Sequence, residues 1–137
     1  QLGRLPPRRG PKSTVSGSSD RLTTWVHLLP YIEQAPLDQQ MATSSPPYRQ
    51  MDDGGYAPAT TTVTILLCPA DIDAPTSGVK PSNYMVVVGD TNVNQGNDGS
   101  QSIRGGFGQR SRIKITDIKD GTSSTVAVGE RKRQPTT

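Results

Sequence analysis

The chain has 137 residues and a formal net charge of +3, a length that suits one domain and excludes two independent cores. Leu, Ile, Val and Phe supply only 26 residues, against 54 of Gly, Pro, Ser and Thr, so composition predicts a small core, much loop and short strands. One Cys and one His exclude an internal disulfide and a zinc site built from several such ligands, and no apolar run is long enough to cross a membrane as a helix.

Residues 1–20 hold Pro6-Pro7, Gly10, Pro11 and Gly17, and read as an irregular or mobile lead-in. Arg4, Arg8, Arg9 and Lys12 make it basic, and Arg131, Lys132 and Arg133 do the same for the tail at 131–137. These ends supply +7, which leaves residues 13–130 at −4. A body of that sign does not point to nucleic acid, and basic ends are usually solvated extensions.

Leu22 to Met41 is the most helix-like stretch, with Trp25, Leu28, Leu29 and Ile32 at helical spacing. Pro30 fits the first turn of a short helix beginning near Leu29, and Pro36 starts a further turn through Leu37 to Met41. Trp25 and Tyr31 are expected to anchor these turns on a sheet. Thr60–Leu67, Asn83–Val88, Arg112–Ile115 and Thr125–Val128 read as strands from their β-branched content. The Asp120-Gly121 turn predicts that the last two are antiparallel neighbours. Leu29, Ile32, Leu66, Val87, Ile113, Ile115, Val126 and Val128 are the expected core.

Few residues suggest chemistry. Cys68 and His27 could serve as nucleophile and base, but no third orienting group is visible, and a buried or cross-linked cysteine is the better reading. Asp52-Asp53 and Asp71/Asp73 read as solvated loop acids rather than a glycosidase pair. Arg104-Gly105-Gly106-Phe107-Gly108, followed by Arg110, Arg112 and Lys114, resembles a single RGG box. RNA binding there needs an exposed Phe107 beside the basic side chains, and a glycine turn into a strand is favoured instead. Asp90, Asn92, Asn94 and Asp98 alternate oxygen side chains as calcium-wrapping loops do. They lack the Gly placement and closing Glu of an EF-hand, and a plain polar loop is the competing reading.

Six short pieces occur in a recognisable order. They are Leu28-Leu29-Pro30-Tyr31-Ile32-Glu33-Gln34; Cys68-Pro69-Ala70-Asp71; Ser82-Asn83-Tyr84 with Gly89-Asp90; Gly105-Gly106-Phe107; Asp117 to Thr125 (DIKDGTSST); and Val128-Gly129-Glu130. Over roughly residues 22–131 the chain resembles a large bacterial family of unknown function. Its members begin with a prepilin-type cleavage and methylation signal and are often labelled type II secretion pseudopilin G-like. The chain resembles the middle of such a member, without the long apolar N-terminal helix and the later histidine-bearing segment. Asp38 stands where an aromatic is common, and Ser124 where Asn is common.

The resemblance implies a non-catalytic structural subunit at the bacterial cell envelope or its outer side. It would work through contacts with copies of itself or other envelope and secretion proteins, and meet the membrane only through the helix missing here. No cofactor is implied, except that major pseudopilins of related systems bind calcium in a loop of the sheet domain, which bears on residues 90–98. The expected fold is α+β and β-leaning: a small antiparallel sheet with short helical turns packed on it, in one pilin-like globular domain over 21–130. A surface left uncovered by the missing helix predicts an oligomer or a marginal monomer. The alternatives are an extracellular ligand- or carbohydrate-binding module using the 90–110 loop, and an RNA-binding module through Arg104–Lys114.

Overall fold

A computed structural model describes residues 3–12, 22–49, 56–71, 82–89, 105–108 and 113–132. The expected helical stretch is two helices joined by a tight corner: α1 (Thr24–Leu28), a 3-10 turn (Leu29–Tyr31) and α2 (Ala35–Ala42). Pro30 and Pro36 each sit in a first turn, where the missing N–H removes no helical bond. Leu37 and Met41, one helical turn apart, form the buried stripe of α2. At the corner Glu33 takes a left-handed backbone conformation, φ 59°, and Gln34 N–H donates to Leu29 C=O at 3.0 Å.

The sheet has two antiparallel strands, β1 (Tyr84–Val86) and β2 (Val128–Glu130). Tyr84 lies opposite Glu130, Met85 opposite Gly129 and Val86 opposite Val128. With two short helices beside it, this is a small α+β domain.

Three of the four expected strands need correction. Thr60–Leu67 is not a strand: 3-10 turns occupy Ala57–Thr60 and Thr64–Leu66. Leu66 N–H donates to Val63 C=O at 3.0 Å and Leu67 N–H to Thr64 C=O at 2.9 Å, so local bonds replace a ladder. β-Branched residues favour a strand only where a neighbour lies beside them, and here Ile65 points to solvent. In the Arg112–Ile115 run, Arg112 lies outside the described residues, Lys114 makes an isolated bridge and Ile115 opens a 3-10 turn to Asp117. The Thr125–Val128 run becomes extended but is strand only from Val128, with one further bond from Val87 N–H to Ala127 C=O, and its partner is β1 rather than residues 112–115.

The core lies around the helices. Leu22, Val26, Leu29, Leu37, Met41, Tyr48 and Tyr56 are buried together, with Ile32, Ala42 and Val63 against them. Of the core expected from sequence, Leu29 is inside and Ile32 packs on it. Leu66, Val87 and Ile113 are only half-buried, and Ile115, Val126 and Val128 are exposed. Short extended pieces with one covered face cannot bury a stripe as a helix does. Trp25 is half-buried, but Tyr31 is 72% exposed and is not the buried anchor expected of it.

Residues 3–12 contain no helix or strand, yet they are tied to distant parts of the chain. Arg4 bridges Lys114 and Arg9 bridges Thr23, both antiparallel. Leu5 N–H donates to Ile113 C=O at 2.9 Å, Arg8 N–H to Gly108 C=O at 3.0 Å, and Gly10 N–H to Leu22 C=O at 3.0 Å. Pro7 is fully buried, and its carbonyl accepts a 2.9 Å bond from the Thr24 hydroxyl.

Candidate functional site

The densest polar constellation centres on Asn83, which is fully buried at the entry to β1. A buried amide must satisfy both its own backbone and its side chain, and Asn83 does so. Its Oδ1 accepts from Cys68 N–H at 2.8 Å. Its Nδ2 donates to Asp71 Oδ2 at 2.5 Å and to Arg131 C=O at 3.1 Å. Its own N–H reaches Leu66 C=O at 3.0 Å, and its carbonyl accepts from Arg131 N–H at 2.7 Å. One side chain therefore joins the 66–71 segment, the start of β1 and the end of β2. The arrangement can fix geometry; it contains no activated nucleophile.

Asp71 is thereby corrected from a solvated loop acid to a half-buried acceptor. The Cys68 side chain is half-buried. His27 Nε2 lies 3.1 Å from Gly10 C=O, and no hydrogen bond joins it to Cys68 as a nucleophile–base pair would require. Asp52, Asp53 and Asp73 lie outside the described residues.

A second cluster pins the N-terminal segment to α2. Lys12 Nζ forms a salt bridge with Asp38 and sits 4.8 Å from the centroid of the Tyr48 ring, within cation–π range. Tyr48 donates its hydroxyl to Asp38 Oδ1 at 3.1 Å. Burial first, and then the Asp38 charge and hydrogen bond, hold the Tyr48 hydroxyl well above its ordinary pKa. A phenol kept neutral in this way is a donor, not a base. This Asp38 role had no sequence signal beyond its departure from an aromatic.

The other recognised pieces are also structural. The Gly105 backbone lies so close to Val88 and Gly89 that a Cβ on it would stand 2.3 Å from the Val88 carbonyl carbon. Phe107 is buried, which corrects the exposed stacking ring that RNA binding required. Asp117 Oδ2 accepts from Lys114 N–H at 2.9 Å. Gly121 turns the chain at φ 86°, and its carbonyl accepts the Thr125 hydroxyl at 3.0 Å.

The proposed calcium residues Asp90, Asn92, Asn94 and Asp98 lie outside the described residues, as do Arg104, Arg110 and Arg112. Lys114 is exposed. Among the described residues, no three or more His, Cys, Asp or Glu are placed to hold a metal ion, and no helix is long and apolar enough to cross a membrane.

No curated protein and no solved structure matches the chain. A family model described as "Protein of unknown function (DUF1559)" does match, over residues 1–137, and the chain belongs to that family.

Proposed function

We propose that the chain is a non-catalytic, pseudopilin-like structural subunit of the bacterial cell envelope, acting through contacts with its own copies or with other envelope proteins. The observation that carries this reading is the destination of its motif residues. The pieces around Cys68–Asp71, Asn83 and Glu130 converge on one buried amide whose bonds go to backbone and to one carboxylate. Reactive centres need polar groups held near a substrate-sized space, whereas these polar groups face one another. The apolar residues left outside, Tyr31, Ile65, Met85, Ile115, Val126 and Val128, are contact material for other chains. The reading involves no cofactor and no nucleic acid.

Photo-cross-linking from Tyr31 in the native host, with cell fractionation, tests it. Adducts with copies of the chain or with identified envelope proteins, found in the envelope fraction, are expected. A free cytoplasmic chain without adducts would overturn the reading. So would an enzymatic turnover abolished by Asp71→Asn in a variant that still folds.

A further inference from the structure

We infer that β2 is the seam of a two-fold dimer, in which a second copy of the chain adds antiparallel along its outer edge with the axis through Ala127. This rests on the reading of the chain as a subunit that contacts its own copies.

The hydrogen-bond phase of the sheet fixes which groups look outward. Val87 N–H donates to Ala127 C=O at 3.0 Å, and Arg131 N–H donates to Asn83 C=O at 2.7 Å. Residues 127, 129 and 131 therefore turn their backbone groups toward β1, and 126, 128 and 130 turn theirs away. Among the described residues, β2 has no neighbour on that side. Its side chains are apolar and open: Val126 is 66% and Val128 46% exposed, and Ala127 between them is exposed. An unpaired edge of this kind is a template for another strand.

Charge selects the occupant and its direction. Exposed Asp117, Lys119 and Asp120 precede the strand with a net −1, and exposed Glu130, Arg131 and Lys132 end it with a net +1. An identical strand laid antiparallel sets the basic exit of each copy beside the acidic entry of the other, twice. A parallel copy would oppose like charges. Only an even register lets outward groups meet outward groups. With the axis at Ala127, Val126 of each copy faces Val128 of the other, and the seam closes about four backbone hydrogen bonds. The result is a four-stranded sheet with an isologous seam. Its apolar stripe runs from Val86 through Val128 to Val126 of the second copy. A seam this short buries less than the roughly 1,000 Å² of a stable interface, so the dimer is concentration-dependent.

Ala127 would meet its copy as a non-hydrogen-bonded pair, with Cα atoms about 4.5 Å apart, inside the range a disulfide spans. In a Cys68→Ser background, Ala127→Cys should therefore cross-link into dimers under mild oxidation, and Thr116→Cys, on an exposed turn, should not. Sedimentation over a range of concentrations should show a monomer–dimer equilibrium. Val126→Lys should weaken it at least about tenfold with the melting curve of the dilute monomer unmoved. Lys132→Glu should weaken it too, and adding Asp120→Lys should restore it. A strict monomer at high concentration would overturn the seam. If Tyr31 adducts with envelope proteins persist in that case, the subunit reading survives and only the seam fails. A dimer that ignores Val126→Lys and does not cross-link at Ala127 uses another surface, and overturns the seam equally. Cross-linking at Ala127 to a different protein alone would overturn the choice of occupant.

Discussion

Around α1 and α2, seven apolar side chains bury one another. Around β1 and β2 the most deeply buried side chain is an amide, Asn83, while Met85, Val126 and Val128 are open to solvent. The first region is held by removal of carbon from water, which is non-directional and tolerates adjustment. The second is held by directional bonds that either all form or leave buried groups unsatisfied. A chain with few large apolar residues can thus keep its core in one half and order the other by hydrogen bonding.

The sharpest break should come at Asn83. Asn83→Leu keeps the branched shape with a larger side chain, removes the bond to Asp71 and strands Cys68 N–H and Arg131 C=O, and should cost about 4 kcal/mol. Chemical denaturation would measure it; a loss under about 1 kcal/mol would mean the amide is not what orders the sheet region. In the helical half, Met41→Ala, which empties a fully buried site, should cost about 3 kcal/mol. The contrast between halves predicts partial rescue by refilling with Leu at position 41 and none by any apolar residue at position 83.

Gly105→Ala comes next. The 2.3 Å approach to the Val88 carbonyl carbon leaves no room for a Cβ, so backbone must shift at about 2 kcal/mol. Gly129→Ala on β2, where nothing lies within 4 Å, is the control and should fall within about 0.5 kcal/mol of wild type. Equal melting temperatures for the two variants would remove the close approach from the account.

Tyr48→Phe should have the smallest effect at neutral pH, about 1 kcal/mol for the lost bond to Asp38. Its signature lies in alkali. The folded state holds the Tyr48 pKa above its ordinary value. Above about pH 10 the unfolded chain therefore gives up this proton while the folded chain keeps it. The unfolded state then binds fewer protons, and stability falls as pH rises. Below that pH both states are protonated, and the contribution of the group is fully present and independent of pH. Tyr48→Phe should flatten the alkaline fall; an unchanged slope would place its cause at other groups.

Local signals were legible where the chain acts locally. Pro30 and Pro36 marked first turns, and the helical spacing of Leu29 and Ile32 marked two residues that pack in the core, whereas the buried pair Leu37 and Met41 was not named. The Asp120-Gly121 turn was legible too, although the strand it leads into pairs with a segment far upstream. The TTTVTILL run misled because β-propensity reports a fit to a neighbouring strand, and among the described residues no strand pairs along it. Residues 3–12 read as a loose lead-in because Pro and Gly exclude regular structure, but they do not exclude burial: Pro7 is fully buried. The convergence of three motif pieces on Asn83 had no local sign at all. Each piece looks like an ordinary turn or strand end, and only the fold places them together.

The bridge between Arg4 and Lys114 also has a consequence in time. During synthesis residues 3–5 leave the ribosome long before residues 113–115, which hold them. At about 5–20 residues per second, the early segment waits several seconds for its partner. Through that interval it can lean on Leu22, Thr23 and Thr24, which follow it closely, but it cannot be fastened at its far end. The helical region can assemble as it emerges, while fastening of residues 3–5 waits for residues 113–115.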